Sequence, residues 1–151
     1  MAAEVAFYQL SRSSLERALP RLLQKVLDQE IRAVVLATSE ERLSALDTAL
    51  WVDDPGSFLA HGRRGEPYPE DQPIYLTTVE ENPNGAPVLV LIDGADARSL
   101  AGYARCLHVF DGNDAAALAA AHARYEACRA AGSSVTYYRQ DSSGRWESKS
   151  P

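Results

Sequence analysis

Three aspartates at the ends of apolar runs are the first residues whose type and spacing could do chemistry. Asp93 follows Val-Leu-Val-Leu-Ile, Asp96 lies just beyond it, and Asp111 follows His-Val-Phe. Carboxylates at neighbouring strand ends can ligate Mg²⁺ through oxygen. With a nucleotide, Asp93 and Asp111 would make a small nucleotide- or Mg²⁺-dependent enzyme. The competing reading is structural. Asp93-Gly94 and Asp111-Gly112 are turn dipeptides, and Asn113 or Asp114 can cap a following helix. The turn reading carries more weight, because Asp-Gly is itself a turn signal.

Other chemistries lack their spacing. His61, His108 and His122 share no metal-ligand pattern, and His108 sits inside an apolar run, as a satisfied, partly buried side chain does. No Gly-x-Ser-x-Gly elbow exists to expose a nucleophilic serine. Neither GxGxxG nor GxxxxGK[ST] occurs. The first strand runs straight into Ser11-Arg12-Ser13-Ser14, with no glycine to let the backbone approach a phosphate. Cys106 and Cys128 have no CxxC spacing and read as buried free thiols in a reducing cytoplasm. Catalysis, a cofactor and a resident metal all lack positive support.

What remains is aromatic. Trp51, Phe58 and Tyr68 occur in or beside a long acidic connection, where exposed aromatics can anchor a protein interface or fold back over the core. Leu118, Ala121, Tyr125 and Cys128 follow the 3-4-3 spacing of a buried helical stripe, flanked by His122, Arg124 and Arg129. On that pattern alone Tyr125 is a core residue.

The elements that must position these residues alternate. Glu4–Leu10 reads as a strand. Ser13 with Glu16 fits a capping box for a helix whose stripe is Leu15, Leu19, Leu22, Leu23, Val26 and Leu27, with Pro20 kinking it or delaying it by a turn. Ala33–Ala37 is a wholly apolar strand. Thr38 with Glu41 caps a helix that turns Leu43, Leu46 and Leu50 inward. Residues 51–73, with four prolines and three glycines, read as one long irregular connection. Ile74–Thr78 and Val88–Ile92 are strands around a turn at Asn82–Gly85. Residues 98–104 suggest a short helix and Cys106–Phe110 a strand. An alanine-rich helix then runs to Ala131 and closes at Gly132, followed by a strand at Ser134–Arg139 and a hairpin-like end at Gly144–Trp146. The pattern predicts an α/β fold: one three-layer domain over residues 1–147, with a mostly parallel or mixed sheet, helices on both faces and a frayed tail at 148–151. It is Rossmann-like without a phosphate loop.

Composition bounds the rest. The 151 residues are 46% hydrophobic and 24% charged, enough for one core without disulfides or metal. No stretch is long and apolar enough to span a membrane, and the first twelve residues do not resemble a secretory signal. The net charge of −6 is concentrated: residues 40–81 hold ten Asp and Glu against three Lys and Arg. An acidic chain lacks the clustered cations that a broad DNA surface needs. The acidic stretch itself serves first as a solvated face.

Four segments carry a resemblance: FYQL (7–10), LDTALWVDDPGSFLAHG (46–62), PVLVLIDG (87–94) and FDGNDAAALAAAHARYEACRAAG (110–132). Together they resemble the chi subunit of bacterial DNA polymerase III, nearly along the whole chain and in order. The resemblance implies a non-catalytic adaptor with a nucleotide-binding-like fold, cytoplasmic and associated with the nucleoid through the replisome. One surface would join the clamp loader through the psi subunit or an equivalent. Another would bind the acidic, Phe-ended C-terminal tail of single-stranded DNA-binding protein. It implies no membrane contact and no sequence-specific nucleic-acid contact. Tyr125 matches the family tyrosine of the tail pocket, and Arg124 and Arg129 match basic residues near it. Leu118, His122 and Glu126 stand where the family carries further Lys or Arg, so the tail face here comprises Tyr125, Arg124, Arg129 and His122. Its recognition of the tail is expected to be weak. Trp51 and Phe58 match the aromatic pair on the partner-facing side. The alternatives are the Asp93–Asp111 enzyme and a subunit that only braces a larger assembly.

Overall fold

The structure is a computed structural model that describes residues 3–52, 61–100, 102–141 and 143–148. Its strands are β1 (Glu4–Leu10), β2 (Ala33–Leu36), β3 (His61–Arg63), β4 (Ile74–Thr77), β5 (Val88–Ile92), β6 (Arg105–Asp111), β7 (Val135–Gln140) and β8 (Trp146–Ser148). Among the described residues the helices are α1 (Leu15–Asp28), α2 (Glu40–Val52) and α3 (Ala115–Ala130), with a 3₁₀ turn at Pro69–Asp71. One eight-stranded sheet has the order β3-β4-β2-β5-β6-β1-β7-β8. Every pairing is parallel except β7 with β8. This is the expected three-layer α/β sandwich with a mixed sheet.

Strand composition follows from two-sided coverage. β2 and β5 are buried at every position, which only an apolar run tolerates. On β5, Val88, Val90 and Ile92 face α1 and α2, while Leu89 and Leu91 face the α3 side. On the first of these faces α1 contributes Leu15, Leu19, Leu22, Leu23 and Val26, and α2 contributes Leu43, Leu46 and Leu50. On the second, α3 covers only part of the sheet, and Ala97, Leu100 and Tyr103 pack beside it.

Several local expectations shift. Regular helix begins at Leu15 and passes through Pro20, which is buried. The ring forfeits one helical hydrogen bond, and its burial within the leucine stripe works against that loss. The N-cap is Ser14 rather than Ser13, and its side chain makes no capping bond. For α2 the cap is Ser39, not Thr38: its hydroxyl accepts from the Arg42 amide at 3.2 Å. Asp114 caps α3 by accepting from the amides of Ala116 and Ala117. The described residues of 98–104 form an irregular stretch with bends and a turn at Gly102 instead of a helix. The long connection after Trp51 contains β3, which pairs with β4. Ser148 ends β8 rather than opening a frayed tail, and residues 149–151 lie outside the described ones.

Candidate functional site

In sheets of this kind ligands bind where successive crossovers leave in opposite directions. Here α1 leaves β1 towards one face, and α3 leaves β6 towards the other. Between them lies a cleft of about 780 Å³, lined by Ser11–Glu16, Arg42, Asp93 and the start of α3. The β1–α1 loop does converge its amides, but on the protein itself. The Gln140 side-chain oxygen accepts from the backbone N–H of Ser11 and Arg12 at 2.8 Å each and of Ser13 at 3.2 Å. Its amide nitrogen donates to the Ser13 hydroxyl at 3.2 Å. A neutral side chain from β7 therefore fills the place a phosphate would take. Gln140→Ala is expected to cost about 1–3 kcal/mol of stability, since several hydrogen bonds are lost at once. Hydrogen exchange at Ser11–Ser13 should accelerate, and unchanged protection there would refute the assignment.

The acidic residues of the cleft are also engaged. Arg42 bridges it, bonding Asp93 through Nε and Glu16 through Nη1. Partial burial would raise the Glu16 pKa, but its own amide and the Arg42 guanidinium hold its carboxyl below the usual range. Asp93 adopts φ 53° in the turn before Gly94, and Asp111 accepts from the Asn113 amide at 2.9 Å. Gly112 is required where it stands, because a Cβ there would lie 2.7 Å from the Leu10 carbonyl oxygen. Asp93 and Asp111 thus serve turns and an ion pair. Among the described residues no three His, Cys, Asp or Glu groups converge as metal ligands.

Cys106 and His108 come within 3.9 Å on β6, yet they are no nucleophile–base pair. Burial pushes the thiol up to about 12. Burial, with a contribution from the Arg124 charge, pushes the imidazole down to about 4. Both groups stay neutral at pH 7, so no thiolate forms to attack.

The α3 face is built on aromatic packing. Tyr125, 9% exposed, meets Phe7 edge-on at 5.8 Å and Tyr137 at 5.6 Å. The Arg129 guanidinium lies 5.7 Å from the Tyr125 ring centre, within cation–π range. Glu126 stands 3.9 Å from Arg129. His122 Nε2 is 3.4 Å from the Tyr137 hydroxyl, which donates to Gln9. At about 100° per helical residue, His122 and Arg129 fall on one flank of Tyr125 and Arg124 on the other. The contacts agree. Arg124 donates to the carbonyls of Gly94 at 3.0 Å and Ala95 at 3.3 Å, and lies 3.8 Å from Asp96. The fold therefore gathers Tyr125, Arg129 and His122, with Tyr137 beside them, and turns Arg124 towards the β5 end. Leu118 is partly buried against the same core.

Trp51 lies in the last turn of α2 and is 55% exposed, whereas Phe58 lies outside the described residues. Beneath the indole is His61 of β3, with ring centres 4.7 Å apart. His61 Nε2 meets Asp47 at 2.7 Å. Trp51 and Tyr125 belong to helices on opposite faces of the sheet. Sequence reasoning passed over Gln140, Tyr137, Asp47 and the placement of His61, because each acquires its role from a strand or helix distant in the chain. No helix among the described residues is long and apolar enough to cross a membrane.

A family model described as DNA polymerase III chi subunit, HolC, matches residues 2–136. A protein of Rickettsia prowazekii (strain Madrid E), named "Probable DNA polymerase III subunit chi", is 31% identical over 107 residues. The match covers 71% of this chain and 65% of that relative, so the chain spans less than two thirds of its relative's length.

Proposed function

The chain belongs to the DNA polymerase III chi subunit family, and from that premise we propose that it is a non-catalytic adaptor of the replication machinery with two docking faces. The α3 face takes the acidic, Phe-ended tail of single-stranded DNA-binding protein. The Trp51 end of α2 takes the clamp loader, through psi or an equivalent. The observation that carries this reading is the separation of the two surfaces. Tyr125, Arg129 and His122 lie on one side of the sheet and the exposed Trp51 on the other, as an adaptor bound to two partners at once requires. The engaged state of Asp93, Asp111 and the β1–α1 amides weighs against a nucleotide enzyme.

The mechanism is reversible capture. The tail's phenyl group packs beside Tyr125, and its carboxylates meet Arg129. A charge-assisted hydrogen bond contributes about 1.5–3 kcal/mol when well made, and Glu126 already competes for that guanidinium. Calorimetric titration of the tail peptide is expected to give a weak, salt-sensitive heat that Tyr125→Ala abolishes. Arg129→Ala should weaken binding about tenfold, matching the loss of one such bond. Glu126→Gln should strengthen it. A wild-type chain that gives no heat at low salt would end the tail-binding reading.

A further inference from the structure

The exposed Trp51 does not stand alone. Its indole lies over His61 at 4.7 Å with the rings inclined by 52°, and the His61 side chain is completely buried. The ring's Nε2 is tied at 2.7 Å to Asp47, one helical turn before Trp51 on α2. Asp47 is in turn 3.7 Å from Arg63, the last residue of β3. A short edge strand and a helix end are thereby locked together under one large, solvent-facing aromatic.

This geometry points to His61 as a positioning residue for partner docking, a platform that holds Trp51 in one orientation before the partner arrives; it rests on the reading of Trp51 as a docking anchor. Binding a partner with a mobile aromatic costs the freedom of its rotamers, whereas an anchor already held loses less. Aromatic anchors in the centre of an interface also carry much of its affinity. Such a buried histidine contributes through the side chain it supports, and Asp47 fixes its ring by accepting the N–H of Nε2. The acceptor requires the tautomer, or the protonated form, that bears hydrogen on that nitrogen.

The chain has two tryptophans, so a Trp146→Phe background leaves Trp51 as the reporter. Two readouts are needed: Trp51 emission and anisotropy in the free protein, and affinity for clamp-loader complex purified from the source cells. His61→Ala should lower the anisotropy, shift emission to the red and weaken capture about tenfold, as expected for a disturbed anchor. His61→Phe, which restores a ring without the bond to Asp47, should recover part of both. Asp47→Ala, a variant that keeps the histidine, should give an intermediate loss in both even if His61→Ala fails to fold. Wild-type emission and capture in the histidine and aspartate variants, with capture lost in Trp51→Ala, would overturn the platform and leave the docking reading intact. Capture undiminished by Trp51→Ala would instead remove the docking reading, and the platform with it.

Discussion

Replacing Phe7 by alanine is expected to lower the free energy of unfolding by about 3–5 kcal/mol, the range for a fully buried aromatic truncated in a core. Phe7 is 0% exposed on β1, between β6 and β7. Its ring stacks on His108 at 4.6 Å and on Tyr137 at 6.2 Å, and takes the edge of Tyr125 at 5.8 Å. Truncation removes all three partners at once and leaves a cavity beneath α3. Aromatic pairs contribute about 0.5–1.5 kcal/mol beyond the area they bury, so the cost should fall at the upper end. Urea unfolding of Phe7→Ala beside Phe7→Leu tests this, because leucine retains most of the volume and loses chiefly the ring contacts, so its cost should be clearly the smaller. Equal losses in the two variants would show that the ring contacts, rather than the filled volume, carry the cost. The same substitution removes the floor under Tyr125, so it should also loosen the α3 face in the tail titration without touching any residue proposed to meet the tail.

That dependence explains which parts of the molecule could be read from the chain. The apolar runs of β2 and β5 and the leucine stripe of α1 state their burial locally, since each residue's neighbours within the element fix its face. β3 does not. His61-Gly62-Arg63 is short and polar and sits among prolines and glycines; only its pairing with β4 makes it a strand. The caps of α1 and α2 each fell one residue beyond the expected serine or threonine, because Ser13 and Ser39 offer hydroxyls of equal chemistry to their neighbours. The Tyr125 stripe was legible from spacing, but the division of its cations was not. Arg124 and Arg129 look equivalent in the sequence. The carbonyls of Gly94 and Ala95 claim one, and the Tyr125 ring faces the other. Gln140 carried no signal at all, for its role depends on β7 lying beside β1.

The second large effect is acid lability centred on His108. The residue is 8% exposed, and its imidazole is stacked on Phe7 and held down to about 4 by burial, with the Arg124 charge adding to the shift and Asp96 opposing it. The unfolded chain binds a proton at this residue near pH 6.5, while the folded chain resists it. Stability from His108 is therefore complete above pH 6.5 and falls as the pH drops towards 4, by about 1.4 kcal/mol per pH unit. The full loss is on the order of 3 kcal/mol. The window from pH 6.5 to 4.5 is the useful one. Glu16, whose pairing with Arg42 lowers its pKa, stays ionised there and adds its own loss only at lower pH. Urea unfolding across that window should show the midpoint falling in the wild type and a markedly flatter profile in His108→Gln, which retains His61 and His122. If both proteins lose stability with the same slope, the proton is taken up elsewhere and His108 is not the group whose burial limits the fold in acid.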